Sequence, residues 1–294
     1  MSRQLEVLAF PEYRIQALRL ADALGCRCRD VEVHRFPDGE SRVRVPADPA
    51  PQSVLCRSLH GPNDKLIELM LAAQTLRAAG CDDLTLVAPY LCYMRQDTAF
   101  RPGEAVSQRI VGEFLAHQVD SVITVDPHLH RAHRLAQAVP ARRAVALSAA
   151  EPIAAFLAAR QKTPLLVGPD SESEQWVRHI AEAAGLTHAV AAKRRSGDRA
   201  VHIDLPPGDY RGREVVLVDD MASTGGTLAC AARELQRAGA APIHALVTHA
   251  LLAGDAEAHL RAAPVAELWS TDSVPHSTNA IPLAPLLAAA VQAD

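Results

Sequence analysis

Short runs of Val, Ile and Leu recur along the chain, LEVLAF, QSVLC, LTLVAPY, SVITV, PLLVGPD, VVLVDD and HALVTHA, each bounded by polar or turn-forming residues. Apolar runs of this length, without polar alternation, predict strands buried on both faces, the condition of a parallel sheet with crossover helices. Between them DKLIELMLAAQTLRAAG carries apolar residues at helical spacing, with Asn63 or Asp64 as the N-cap and Gly80 as the stop. TLACAARELQRAGA repeats that design further on. Both halves run strand, polar loop, helix ending in Ala-Gly, strand: LTLVAPY and SVITVDPHLH are echoed by PLLVGPD and VVLVDDMASTGG. The pattern predicts an α/β protein of two similar domains, residues 1–145 and 146–280, each a mainly parallel sheet flanked by helices. The tail, residues 281–294 with IPLAPLLAAAV, is expected to form a helix that packs on the first domain.

Composition narrows the classes of partner. At 294 residues and 49% hydrophobic content the chain can bury two ordinary cores. Its 30 basic and 34 acidic residues leave a net charge of −4, so no overall positive field recruits nucleic acid or an acidic membrane. An anionic ligand must be held by local clusters. No apolar run reaches the roughly 18 residues that span a bilayer, and MSRQLEVLAFPEYR lacks the basic-then-apolar pattern of a secretory leader. The six cysteines (Cys26, Cys28, Cys56, Cys81, Cys92, Cys230) are scattered without a C-x-x-C pair, which predicts reduced thiols and a cytoplasmic location.

Chemistry concentrates in VVLVDDMASTGGT. Adjacent carboxylates cost free energy unless hydroxyl donors, water or a cation compensate. Here Asp219 and Asp220 end a strand, and Ser223, Thr224, Gly225, Gly226 and Thr227 follow at the head of a helix, where backbone amides can surround a phosphate. The Gly-Lys-Ser/Thr ending of a Walker loop is missing, which argues against a nucleoside triphosphate at this loop. A sugar phosphate fits, its hydroxyls toward the aspartates and its phosphate toward the loop amides. The plain alternative is a strand-to-helix turn with solvated acids.

Four further stretches admit two readings each. YLCYMRQDTAFRPGE concentrates Arg95, Gln96, Asp97 and Arg101 beside Tyr90 and Tyr93, which suits phosphate gripping and purine stacking, or a salt-bridged surface loop. HRFPDGESRVRV reads by itself as a hairpin around Pro-Asp-Gly. TVDPHLHRAHR supplies His128, His130 and His133, but no cysteine or H-E-x-x-H pattern completes a zinc site; a magnesium–phosphate complex touched by one histidine is the milder explanation. KRRSGD is either a solvated basic turn or a set of mobile cations over a departing phosphoryl group.

Taken in order, FPDGE (Phe36 to Glu40), YMRQD (Tyr93 to Asp97), Asp126 to His128, Lys193 to Arg195 and the Asp219 to Thr227 loop resemble the motifs of ribose-phosphate pyrophosphokinases, also called phosphoribosyl pyrophosphate synthetases. The resemblance runs from about Phe36 to the Thr271-Asp272 pair. It implies two phosphoribosyltransferase-like domains, ATP and ribose 5-phosphate as substrates, and Mg2+ as cofactor. It further implies that Phe36, Asp38, Glu40, Arg95, Gln96 and Asp97 bind ATP, with the Phe36 to Glu40 segment near a subunit interface of a homo-oligomer. Asp219, Asp220 and Ser223 to Thr227 would bind ribose 5-phosphate, His128 and Asp170 would touch the metal, and Lys193 and Arg195 would be catalytic. Two departures mark a divergent branch: Ser223 stands where most members carry an acid, and GPDSESEQW places Ser171, Glu172 and Ser173 where glycines are usual after Asp170. The alternatives are a phosphoribosyltransferase and a catalytically silent regulatory homologue.

Overall fold

The apolar runs become the strands of two sheets that share one topology. The computed structural model describes residues 4–129, 131–160, 163–196 and 200–293, with the backbone alone for 194–196, 200 and 201. The chain divides into one unit formed by Met1–Leu147 with Leu283–Asp294 and a second formed by Ser148–Pro282.

In the first unit the order is β1 (Leu5–Ala9), α1 (Arg14–Leu24), β2 (Arg27–Asp30), β3 (Glu32–Arg35), β4 (Ser41–Arg44), β5 (Gln52–Cys56), α2 (Pro62–Ala78), β6 (Asp83–Val87), α3 (Ser107–Gln118), β7 (Ser121–Val125), α4 (Leu135–Ala138) and β8 (Arg143–Leu147). Six strands make a parallel sheet in the order β2-β1-β5-β6-β7-β8, while β3 and β4 pair antiparallel outside it. The second unit follows with α5 (Ala150–Ala158), β9 (Leu165–Gly168), α6 (Glu174–Ala184), β10 (His188–Val190), β11 (Ala192–Ser196), β12 (Ala200–Asp204), β13 (Val215–Ala222), α7 (Gly226–Arg237), β14 (Ile243–Ala250), α8 (Ala256–Arg261), β15 (Leu268–Thr271) and β16 (Asn279–Ile281). Its parallel sheet runs β10-β9-β13-β14-β15-β16, with β11 and β12 as the separate antiparallel pair. Strand for strand the second order repeats the first. The last helix, α9 (Ala284–Gln292), packs against α1.

The expected two-domain architecture of mainly parallel sheets is what the chain forms. Each core lies between sheet and helices, around Leu8, Leu55 and Leu86 in the first unit and Val167, Leu217 and Val247 in the second. Every residue of β7 and β14 is buried, which explains why the central strands read as unbroken apolar runs. Burial of such side chains contributes about 1.5–3 kcal/mol each before the entropy of ordering the chain is counted. The edge strand β2, sequence RCRD, has no apolar run because its residues are half-buried or exposed. The start of α2 differs from the expected Asn63 or Asp64 cap: Gly61, left-handed at φ 56°, is the N-cap, with Pro62 in the first turn. A proline in the first turn sacrifices no helical hydrogen bond, which frees Asn63 and Asp64 for tertiary partners. Among the described residues no helix is long and apolar enough to cross a membrane.

Candidate active site

In an open parallel sheet ligands gather outside the carboxyl ends of the strands, where successive connections leave in opposite directions. In the second unit that point lies between β9 and β13: the chain leaves β9 toward β10 on one side and returns to β13 on the other. Asp170 follows β9 and Asp219 and Asp220 lie near the end of β13, so the fold itself brings these three carboxylates together. Asp170 is buried and accepts at Oδ1 from the Glu172 amide (3.1 Å), while the Ser173 hydroxyl donates to the Asp170 carbonyl at 2.6 Å. The serines and glutamate after Asp170, unusual for the resembled family, thus form a short helical turn that Asp170 itself caps, which fixes this carboxylate. Burial, and then the charges of Asp220 and Asp170, push the Asp219 carboxyl well above its ordinary range; the Asp220 amide, donating to Asp219 Oδ1 at 3.0 Å, offsets this in part.

Lys193, on β11, reaches into the same place. Its Nζ lies 3.3 Å from Asp170 Oδ2 and 3.3 Å from Thr227 Oγ1, joining the carboxylate side of the site to the loop that precedes α7. Arg195 lies further along β11, opposite Val201, and its side chain is outside the described residues. His130 is outside them altogether.

The loop from Ser223 to Thr227 is shaped by glycine and by a neighbouring segment. Gly225 is left-handed at φ 71°, and a Cβ there would fall 2.9 Å from Leu260 Cγ and 3.1 Å from the Ala256 carbonyl oxygen, so a side chain meets both strain and collision. Leu251 and Leu252 amides donate to the Ala222 carbonyl and the Ala253 amide to that of Ser223, which staples the loop to the end of β14. Thr224 and Gly226 are exposed, and the amides of the first helical turn have no acceptor within the helix. The result is a rigid, open ring of donors beside three carboxylates. Sequence reasoning missed the support behind it: buried His249 and Ser273 bond through Nδ1 and Oγ at 2.9 Å, and the hydroxyls of Ser273 and Thr271 both donate to the Thr248 carbonyl. The signal was present as polar residues closing otherwise apolar strands.

The residues expected to hold ATP all lie in the first unit. Phe36, Asp38 and Glu40 occupy the exposed turn joining β3 and β4, which is closed by Phe36 N donating to Glu40 O, Gly39 N to Phe36 O and Glu40 N to Asp38 Oδ1. The hairpin read from the sequence alone is therefore formed, with Phe36 presented 40% exposed and edge-on to His34. In the loop after β6, Met94 is buried, Arg95 exposed and Gln96 held by its carboxamide to the Thr98 carbonyl at 3.2 Å. Asp97 pairs with Arg131 at 3.3 Å, tying this loop to the Asp126–His128 loop after β7.

The equivalent switch point of the first unit, between β1 and β5, carries a network of charged side chains, most of them buried. Arg57, fully buried at the end of β5, stacks over the Phe10 ring and bonds Glu12 at 2.7 Å, the Lys65 carbonyl at 3.1 Å and the buried carboxylate of Glu68. Burial, helped by Arg57 and opposed by Glu12, lowers the Lys65 ammonium to about 8. Burial and then Lys65 lower His60 to about 4.

Comparison with known proteins matches the chain to two family models. Residues 5–118 match the model of the N-terminal domain of ribose phosphate pyrophosphokinase, and residues 140–283 match the phosphoribosyl transferase domain. The ribose-phosphate pyrophosphokinase of Methanopyrus kandleri is 37% identical over 97% of this chain and 98% of its own. The chain belongs to the ribose-phosphate pyrophosphokinase family. Ribose-phosphate pyrophosphokinase 2 of Archaeoglobus fulgidus is 34% identical, covering 97% of this chain and 99% of that protein. The crystal structure of phosphoribosylpyrophosphate synthetase from Mycobacterium smegmatis has the same fold, with a TM-score of 0.84 over 99% of this chain and 98% of that one at 24% identity. As a member of this family the protein is a transferase.

Charged phosphates call for a cation beside them. Among the described residues no three His, Cys, Asp or Glu side chains form a ready-made cage. A hard cation such as Mg2+ takes most of its ligands from phosphates and water and needs only one or two carboxylates from the protein. The carboxylate of Asp170, with Asp219 and Asp220 close to it at the strand ends, fits that requirement.

Proposed function

We propose that this protein transfers the diphosphoryl group of ATP to the anomeric hydroxyl of ribose 5-phosphate, giving phosphoribosyl pyrophosphate and AMP. The observation that carries the reading is the bridge by Lys193 between Asp170 and Thr227 beside the Asp219–Asp220 pair, in a chain with the family's FPDGE and YMRQD motifs. Asp219 and Asp220 accept from ribose hydroxyls, and Ser223 to Thr227 surround the 5-phosphate with amide and hydroxyl donors. The anomeric oxygen bonds to the β-phosphorus as the bond from that phosphorus to the bridging oxygen breaks; the hydroxyl proton passes to solvent and AMP leaves with the bridging oxygen. Lys193 and Arg195 neutralise charge that grows on the phosphoryl oxygens, and positioning does most of the remaining work, as expected for a loose transition state.

ATP is held in this reading by Phe36, Asp38, Glu40, Arg95, Gln96 and Asp97. Bound Mg2+ would supply charge neutralisation of the triphosphate, and His128 and Asp170 are the residues whose motifs mark them as candidates to touch it. Homo-oligomer formation belongs to the same proposal. It is supported by exposed apolar side chains concentrated in the first unit, among them Phe36, Ile67, Leu71, Phe100 and Ile110. A cytoplasmic location fits substrates that are phosphorylated metabolites.

Incubation with ATP, MgCl2 and ribose 5-phosphate, followed by chromatography, tests the reading. AMP and phosphoribosyl pyrophosphate are expected in equal amounts, and chelation of the metal stops both. Folded protein that forms no AMP would remove the assignment. Consumption of phosphoribosyl pyrophosphate with a purine base would replace it by a phosphoribosyltransferase.

A further inference from the structure

Among the described residues, the turn that carries Phe36, Asp38 and Glu40 is bonded within itself at its tip, while its base is held from inside the protein. Arg35 and Ser41 form the last cross-strand pair before the turn. Both donate to the same atom: Arg35 Nε lies 3.1 Å and Ser41 Oγ 2.9 Å from Glu68 Oε1. The other oxygen, Oε2, accepts from Nη2 of Arg57. Glu68 is fully buried on α2, and Arg57 is immobilised by the Phe10 ring, Glu12 and the Lys65 carbonyl. One carboxylate therefore has one oxygen on a fixed anchor and the other on both strands of the hairpin. Asp64, one turn earlier on α2, adds a bond to Arg35 Nη1 at 3.1 Å.

We infer that Glu68 is a positioning residue for ATP: it sets the angle at which the β3–β4 turn presents Phe36, Asp38 and Glu40, without touching the nucleotide itself. This rests on the reading of that turn as part of the ATP site. The physical case is one of preorganisation. A two-stranded hairpin is marginal alone, and each bond that fixes its base removes ordering cost from the binding step. Burial would raise the Glu68 carboxyl, but the bonds and charge of Arg57, with Ser41 and Arg35, hold it below its usual range, so it stays an ionised acceptor for both strands.

Removing Glu68 outright would take one of the two carboxylate partners of buried Arg57, so the decisive variants cut the hairpin's arms and leave the Arg57–Glu68 pair intact. In Ser41→Ala, and more strongly in Arg35→Met combined with Ser41→Ala, the KM for ATP is expected to rise, by about tenfold in the double variant, the equivalent of one or two lost hydrogen bonds. The kcat and the KM for ribose 5-phosphate stay within about twofold. Ser41→Thr, which keeps the hydroxyl, restores the wild-type KM. Amide hydrogen exchange at Gly39 and Glu40, measured without nucleotide, is expected to quicken in the double variant. An unchanged ATP KM, or unchanged exchange at these two amides, would overturn the inference. Should the wild type make no AMP, the diphosphokinase reading fails, and the exchange measurement still decides the clamp.

Discussion

Lys193 is placed to act on two partners at once, which separates its role from that of a surface cation. Its Nζ sits 3.3 Å from both Asp170 and Thr227, so a phosphoryl group entering between the carboxylates and the loop meets a charge already held in place. Lys193→Ala is expected to lower kcat by about 10²-fold or more, in the range seen when one preorganised donor is removed from a transition state, while calorimetry still detects ribose 5-phosphate. Asp219 bears the opposite cost. Its carboxyl is raised above the usual range, so the folded state holds a proton more tightly than the unfolded chain between the unfolded and folded pKa values. Stability of the ligand-free protein therefore falls as pH rises through that window, so burying this carboxyl is a burden above it. Asp219→Asn should raise the ligand-free melting midpoint by about 2–4 °C at pH 7.5 and flatten this pH dependence, while weakening ribose 5-phosphate binding. A midpoint that falls instead would mean that the carboxylate is already compensated.

At the scale of elements, the second unit's site is a strand end, a glycine turn and a helix start held in register by other segments. Gly225 is the position with least freedom, because a Cβ would collide with Leu260 and the Ala256 carbonyl while the backbone is left-handed. Gly225→Ala should cost about 1–3 kcal/mol, read by denaturant unfolding, and should weaken phosphate binding more than ATP binding because α8 must give way beneath the loop. The corresponding strand end of the first unit is built differently. There Arg57 follows β5 and bonds Glu12 and Glu68, while Lys65 donates to the Ser58 carbonyl. The antiparallel pair that follows the second strand was kept in both units: it holds Lys193 in one and leads into Phe36 in the other.

For the molecule as a whole, the central strands and the long helices were legible because parallel strands buried on both faces leave unbroken apolar runs and amphipathic helices leave a 3.6-residue period. Edge strands such as β2 left no such trace, since one side faces solvent or another chain segment and RCRD satisfies it. The α2 cap was misread for a related reason: Asn63 looks like a cap in isolation, but its side chain accepts from the Tyr93 hydroxyl at 2.5 Å, a partner 30 residues away. Within the site, the sequence by itself determined the residue types, the adjacent acids, the glycine turn and the basic stretch, because each motif is contiguous and its chemistry is local; that Lys193 to Arg195 lie on a paired strand rather than in the expected turn came from the fold. Only the tertiary structure decided that Asp170, Lys193, Asp219 and Thr227 lie together at the strand ends, that Asp170 caps the Ser171 to Ser173 turn, and that Glu68 bonds both strands at the base of the Phe36 turn. Those relations depend on strand order and on burial. Neither is encoded in the spacing of any one motif.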